Sequence, residues 1–182
     1  MPYAQYDCAS SYKKDCVKCE PAGHPLPKPI IMSCGTGNGF TLADSGTTPE
    51  TTTVGCPPCR PKTVAALTLD TTCLCKPMVK IEFSSHVHFV PTDNGCTSDC
   101  QLEFELVRIC DNGFEDSLGT WLFEIEEEGD VFAETFNFIY CECNTCPGCC
   151  RYFVRVVPLY IDDATVCVGN TFIAGFAQSG CD

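Results

Sequence analysis

Residues 102–109, LEFELVRI, place Leu102, Phe104 and Leu106 at alternate positions with Glu103 and Glu105 between them. A period of two is what a strand with one buried and one wet face requires. The alternation recurs: Val79, Ile81 and Phe83 interleave with Met78, Lys80 and Glu82, and Trp121, Phe123 and Ile125 interleave with Leu122, Glu124 and Glu126. Short apolar segments at 30–34, 64–69, 78–83, 102–109, 121–127, 132–143, 151–160 and 165–176 are separated by turn chemistry such as DNG, EEEGD and YIDD. No segment carries a capped apolar period of 3.6 for more than two turns. The pattern predicts an all-β chain, a single jelly-roll-like β-sandwich of about eight strands over residues 29–182.

Residues 1–28 read differently. They are polar, carry Cys8, Cys16 and Cys19, and run into PAGHPLPKP at 21–29, with four prolines in nine residues. Such a segment favours polyproline II at about 3.1 Å per residue, so it reads as an extended N-terminal arm on a stiff hinge that can reach a neighbouring molecule. Gly35-Thr-Gly-Asn-Gly39 reads as a glycine-rich turn, and residues 41–62 read as a loop, because CPPCRP at 56–61 lacks amide donors at its three prolines.

Composition restricts function. Eighteen of 182 residues are Cys, the fraction of a disulfide scaffold or a dense metal binder. The formal charge of -13 repels a phosphate backbone, so nucleic acid is not an expected partner. The first residues hold no apolar run of the roughly 7–15 that an export signal needs, and no stretch approaches the roughly 20 apolar residues of a membrane helix. A chain without a classical signal peptide is expected to be made in a reducing compartment, where thiols do not pair. Its cysteines therefore hold metal, or it meets an oxidant by another route.

The cysteines fall into groups. Cys16 and Cys19, then Cys56 and Cys59, form C-x-x-C pairs; Cys73 and Cys75 precede a strand; Cys96 and Cys100 bracket a turn; Cys141, Cys143, Cys146, Cys149 and Cys150 form CxCxxCxxCC. Cys34, Cys110, Cys167 and Cys181 stand apart. Residues two apart on a strand share a face, so Cys141 and Cys143 aim the same way, whereas adjacent Cys149 and Cys150 aim to opposite faces. In the metal reading, the pairs 16/19 and 56/59 join as a four-thiolate zinc site. The separation of the pairs and the many cysteines left over favour disulfides, whose connectivity stays open.

His86 and His88 share a strand face; a zinc or copper site with His24 or a cysteine is the sharper reading and an exposed polar strand the plainer, preferred one. Glu124, Glu126, Glu127, Glu128 and Asp130 read as a solvated strand edge and turn rather than calcium or catalytic groups. Trp121 reads as core. No nucleophile–base constellation is framed, so no catalytic residue, resident metal or cofactor is expected.

Several segments resemble a known group: IIMSCGTG from Ile30, LDTTC from Leu69, VKIEF from Val79 and FIYCECNTCPGCC from Phe138. Together they resemble an uncharacterised cysteine-rich family of anaerobic spore-formers. In architecture the chain is also similar to endospore appendage subunits, jelly rolls with a cysteine-bearing N-terminal connector and no signal peptide. The resemblance implies a homopolymer assembled in a mother cell and oxidised into a cross-linked extracellular or spore-surface filament. Its partners would be further copies of itself and a spore-coat or surface anchor protein. Cys8, Cys16 and Cys19 occupy the connector position and by analogy bond to cysteines of preceding subunits. The longer arm, the 41–62 loop and the CxCxxCxxCC run have no counterpart in those subunits, so the resemblance assigns no acceptor cysteines. The alternative is a cysteine-rich zinc-thiolate module.

Overall fold

The computed structural model describes residues 30–43, 60–92, 97–111, 113–128, 130–143, 145 and 147–180. These form nine strands: β1 Ile30–Thr36, β2 Phe40–Ala43, β3 Lys62–Asp70, β4 Pro77–Pro91, β5 Thr97–Ile109, β6 Glu115–Glu128, β7 Phe132–Glu142, β8 Cys149–Asp162 and β9 Ala164–Ser179. The first sheet runs β1-β9-β4-β7, with β2 also paired to β9; the second runs β3-β8-β5-β6. Every pairing is antiparallel. The pairs β1/β9, β3/β8, β4/β7 and β5/β6 are those of one long hairpin rolled into a sandwich, which is the jelly roll.

Alternation places the core between the sheets. Along β4, Val79, Ile81, Phe83, Ser85, Val87 and Phe89 are buried, and the residues between them are half-buried or exposed. Leu102, Phe104 and Leu106 of β5 and Val154 and Val156 of β8 face them from the second sheet. The sandwich is closed beside β6 and β7 by aromatic rings: Trp121 stacks on Phe138 with centroids 3.8 Å apart, and Phe104 on Phe136 at 4.1 Å. Trp121 is half-buried at this rim and packs against the core rather than lying within it.

Two expectations are corrected. Phe40–Ala43 is a strand, not the start of a loop: Phe40 and Leu42 pair with Val168 and Val166 and pack on the core, extending the edge that β1 begins. Cys100 lies inside β5, buried, rather than at a turn. The glycine-rich segment also has a specific cause. A side chain at Gly35 would meet the carbonyl oxygen of Ala66, and one at Gly37 the carbonyl oxygen of Val64, because β1 lies directly against β3 here. Gly37 N–H donates to Thr171 O (3.1 Å), and the Thr171 hydroxyl donates to Val64 O (2.8 Å), fastening the two sheets at this crossing. The β8–β9 connection is a single residue, Asp163, at φ 46°, a left-handed conformation that Asp tolerates better than most side chains.

Candidate functional site: the outer face of the first sheet

Register assigns the outer face residue by residue. Ile30, Met32, Cys34 and Thr36 of β1 lie across from Gln178, Phe176, Ala174 and Phe172 of β9. These continue to Met78, Lys80, Glu82 and Ser84 of β4, and Lys80, Glu82 and Ser84 continue to Cys141, Ile139 and Asn137 of β7. Ile30 is 66% exposed, Met32 64%, Ile139 59% and Phe172 43%. Solvent-facing apolar side chains standing singly need no explanation, but neighbours on one face form a patch.

The charges are segregated. Among the described residues, the ones that register puts on this face are Lys80 and Glu82, and they pair with each other at 2.5 Å. The Glu82 carboxylate accepts from the Lys80 ammonium and raises its pKa. The opposite face, on the second sheet, carries Asp99, Glu103, Glu105, Glu124, Glu126 and Asp162, with Arg155 bound to Glu105 at 2.6 Å and to Glu115 at 3.3 Å.

The cysteines distribute between the core, the surface and a disulfide. Cys110 and Cys150 form a disulfide with Cα atoms 4.0 Å apart, across the β5–β8 pair one position beyond Ile109 and Arg151. Cys150 points inward and is buried; Cys149 points outward and is half-buried, as adjacent strand positions require. Cys75, in the β3–β4 turn, is also disulfide-bonded, and Cys73 lies exposed in the same turn. Cys100 is a buried thiol, its pKa pushed up to about 12 by burial. Cys34 on β1, Cys141 on β7 and Cys143 just past the end of β7 are exposed thiols, and Cys167 on β9 is a half-buried one on the same outer face, directly across from His88. Cys8, Cys16, Cys19, Cys56, Cys59, Cys96, Cys146 and Cys181 lie outside the described residues, as do the 16/19 and 56/59 pairs of the zinc reading.

Cys34 reaches neither Cys141 nor Cys167 across the sheet. Cys34 and Cys141 sit on opposite edge strands, three strand spacings or about 14 Å apart. Cys34 pairs with Ala174, seven positions from Cys167, or roughly 23 Å along β9. Cα atoms more than about 7 Å apart are not bridged without backbone movement. His86 and His88 are exposed on this face, and His86 Nε2 lies 3.4 Å from the Thr135 hydroxyl. Among the described residues no group of three or more His, Cys, Asp or Glu side chains is arranged to hold a metal ion. Glu124 and Glu126 are exposed on the edge strand β6, as the alternation predicts.

The apolar character of this face was not recognised from the sequence, although a signal for it exists. Ile30-Ile-Met32, Phe138-Ile-Tyr140 and Phe172-Ile-Ala-Gly-Phe-Ala177 are unbroken apolar runs, and unbroken runs mark strands covered on both faces. All three fall on the first sheet.

Fold and surface together define a disulfide-bearing jelly-roll sandwich with one acidic face and one neutral, partly apolar, thiol-bearing face. The chain belongs to the family described as "Domain of unknown function (DUF4489)", matched over residues 28–177. No curated protein matches it. Solved structures similar to it include that of infectious bursal disease virus Gt strain, at 12% identity and a TM-score of 0.39, over 86% of this chain and 37% of that one. The Gx strain structure matches at 10% identity and a TM-score of 0.35, over 87% and 42% respectively. The T13 particle of the same virus matches at 11% and 0.34, over 87% and 39%. The chain thus spans less than half the length of each.

Proposed function

We propose that the protein is a structural subunit that self-assembles head-to-tail into a disulfide-cross-linked filament, outside the cell or on the spore surface, with the N-terminal arm linking neighbours. The observation that carries this reading is the set of surface thiols, Cys34, Cys141 and Cys143 exposed and Cys167 half-buried, of which Cys34 is too far from Cys141 and Cys167 to bond either. A bond at Cys34 that is not to these two is made to another segment or another molecule, and the arm supplies Cys8, Cys16 and Cys19. The likeness in architecture to endospore appendage subunits, an analogy rather than a sequence match, supports the same assignment. A heterologous contact that does not close generates an open helix, and bridges between subunits make its persistence a matter of rates rather than equilibrium. Further copies are the main partner, and a spore-coat or surface protein is the anchor.

The test is gel electrophoresis, with and without reductant, of protein isolated under thiol-blocking conditions. A ladder that collapses on reduction to the 19.8 kDa monomer is expected, with removal of residues 1–20 abolishing it. A monomer with free thiols, or polymers of normal length without the arm, overturns the proposal.

A further inference from the structure

The outer face of the first sheet calls for a cover, and its composition says which. The unbroken apolar runs of β1, β7 and β9 give this sheet apolar side chains on both sides. The chain carries a formal charge of -13, so two copies repel through surfaces such as the one bearing Glu103, Glu124 and Glu126. They meet without opposing carboxylates only where the charge is balanced, and the Lys80–Glu82 pair balances this face.

We infer that this face packs against the same face of a second copy, in a two-fold sheet-on-sheet contact. Four strands at about 4.8 Å make it about 19 Å wide, and residues 77–85 of β4, the stretch that an axis level with Ile81 lays against its own copy, make it about 30 Å long. Each footprint is about 570 Å², so the two together, about 1,100 Å², clear the roughly 1,000 Å² that a specific interface needs. A two-fold axis in the plane of the contact, perpendicular to β4 and level with Ile81, brings Lys80 of each copy to Glu82 of the other, so the charged pair on the face is kept and exchanged. Met32, Ile139, Phe172 and Phe176 supply the apolar contact. This pairing needs no arm and no disulfide, and it stands whether or not filaments form.

The experiment uses the full-length chain carrying C8S, C16S and C19S, which removes arm-mediated covalent links, and measures mass by light scattering over a dilution series at low micromolar concentration. The expected parent is a dimer of twice 19.8 kDa. Met32→Lys and Ile139→Lys place a charge in the contact from two different strands and are expected to weaken the dimer by about 30-fold or more. Both side chains are largely exposed, so unchanged circular dichroism melts confirm that the monomer fold is retained. Leu122→Lys, on the outer face of the second sheet, is expected to leave the dimer intact. A monomeric parent, which would leave the face to the arm of its own chain, overturns the inference. So does a dimer that Met32→Lys and Ile139→Lys leave unchanged.

Discussion

Arg108 of β5 crosses the sandwich to Glu142 of β7, its Nη1 donating to Oε2 at 2.7 Å, while its Nη2 donates to Asp116 of β6 at 3.1 Å. One guanidinium thus ties the two sheets together near the Cys110–Cys150 disulfide. Burial alone would lower the Arg108 pKa, but the carboxylates of Glu142 and Asp116 outweigh it and raise it. Burial also pushes the neighbouring Tyr140 phenol up to about 12, with the Glu142 charge adding to it. Removing one member of a mostly buried pair leaves the other uncompensated. Arg108→Met is expected to cost about 2–3 kcal/mol, whereas Lys80→Met on the exposed face is expected to leave stability close to that of wild type. Equilibrium urea unfolding of both variants measures the difference, and equal midpoints would show that the crossing pair contributes little.

Glu105 gives the second sheet an acid-sensitive contact. Its carboxylate accepts from Arg155 Nε at 2.6 Å, and that hydrogen bond is the main reason its pKa is lowered. The folded value lies below the unfolded one of about 4.3. The contribution is therefore whole above that pH and is lost as pH falls through the lowered folded value. With the pair partly exposed, about 1 kcal/mol is at stake. Wild type should lose stability between pH 5 and pH 3 more steeply than Glu105→Gln, by urea midpoints taken at about both ends of that window.

The crossing of β1 over β3 makes a sharp contrast between two glycines. Gly37 faces the carbonyl of Val64 with no room for a methyl group, whereas nothing stands within 4 Å of the corresponding position at Gly169. Gly37→Ala must push β3 away from β1 and break the Thr171 hydrogen bonds, at an expected cost of about 3 kcal/mol or more. Gly169→Ala is expected to stay within about 1 kcal/mol of wild type. Thermal melts of the two variants decide it; similar melting temperatures would mean that the crossing is soft.

What was legible in the sequence follows from which features are local. Eight strands announce themselves because their signals are local, period-two alternation as in LEFELVRI at 102–109 or a short apolar run closed by turn residues. β2 does not: its four residues offer only Phe40 and Leu42 as an inward pair, and the glycines before them read as a turn. Gly35 and Gly37 are set by carbonyls of β3, about 30 residues onward, and Gly39 by the Val168 carbonyl of β9, and no local rule contains that information. The same holds for Cys110 and Cys150, separated by 40 residues. Their partnership follows only once the pairing of Ile109 with Arg151 is known. The acidic strand edge at Glu124 and Glu126 was legible because alternation sets their exposure. The neutral face was written in the apolar runs of β1, β7 and β9, but assembling them into one surface requires the sheet order.

The position of Cys100 predicts an ordered pattern of thiol chemistry. Iodoacetamide attacks thiolates, so exposed Cys34, Cys141 and Cys143 should be alkylated in the native state. Cys100, 1% exposed and with its pKa pushed up to about 12 by burial, should react only through unfolding. The same shift acts on stability. The folded value lies above the unfolded value of about 8.5, so the contribution of the neutral buried thiol is whole below that pH and declines as pH rises towards 12. Cys100→Val keeps an apolar side chain of similar volume facing the core and removes the ionisable group. It should match wild type at neutral pH within about 1.5 kcal/mol and surpass it increasingly above about pH 9. Mass spectrometry of the alkylated sites and urea midpoints on the alkaline side are the two readouts. Native-state labelling of Cys100 at the rate of Cys34 would mean that β5 opens far more readily than its place at the centre of the second sheet implies.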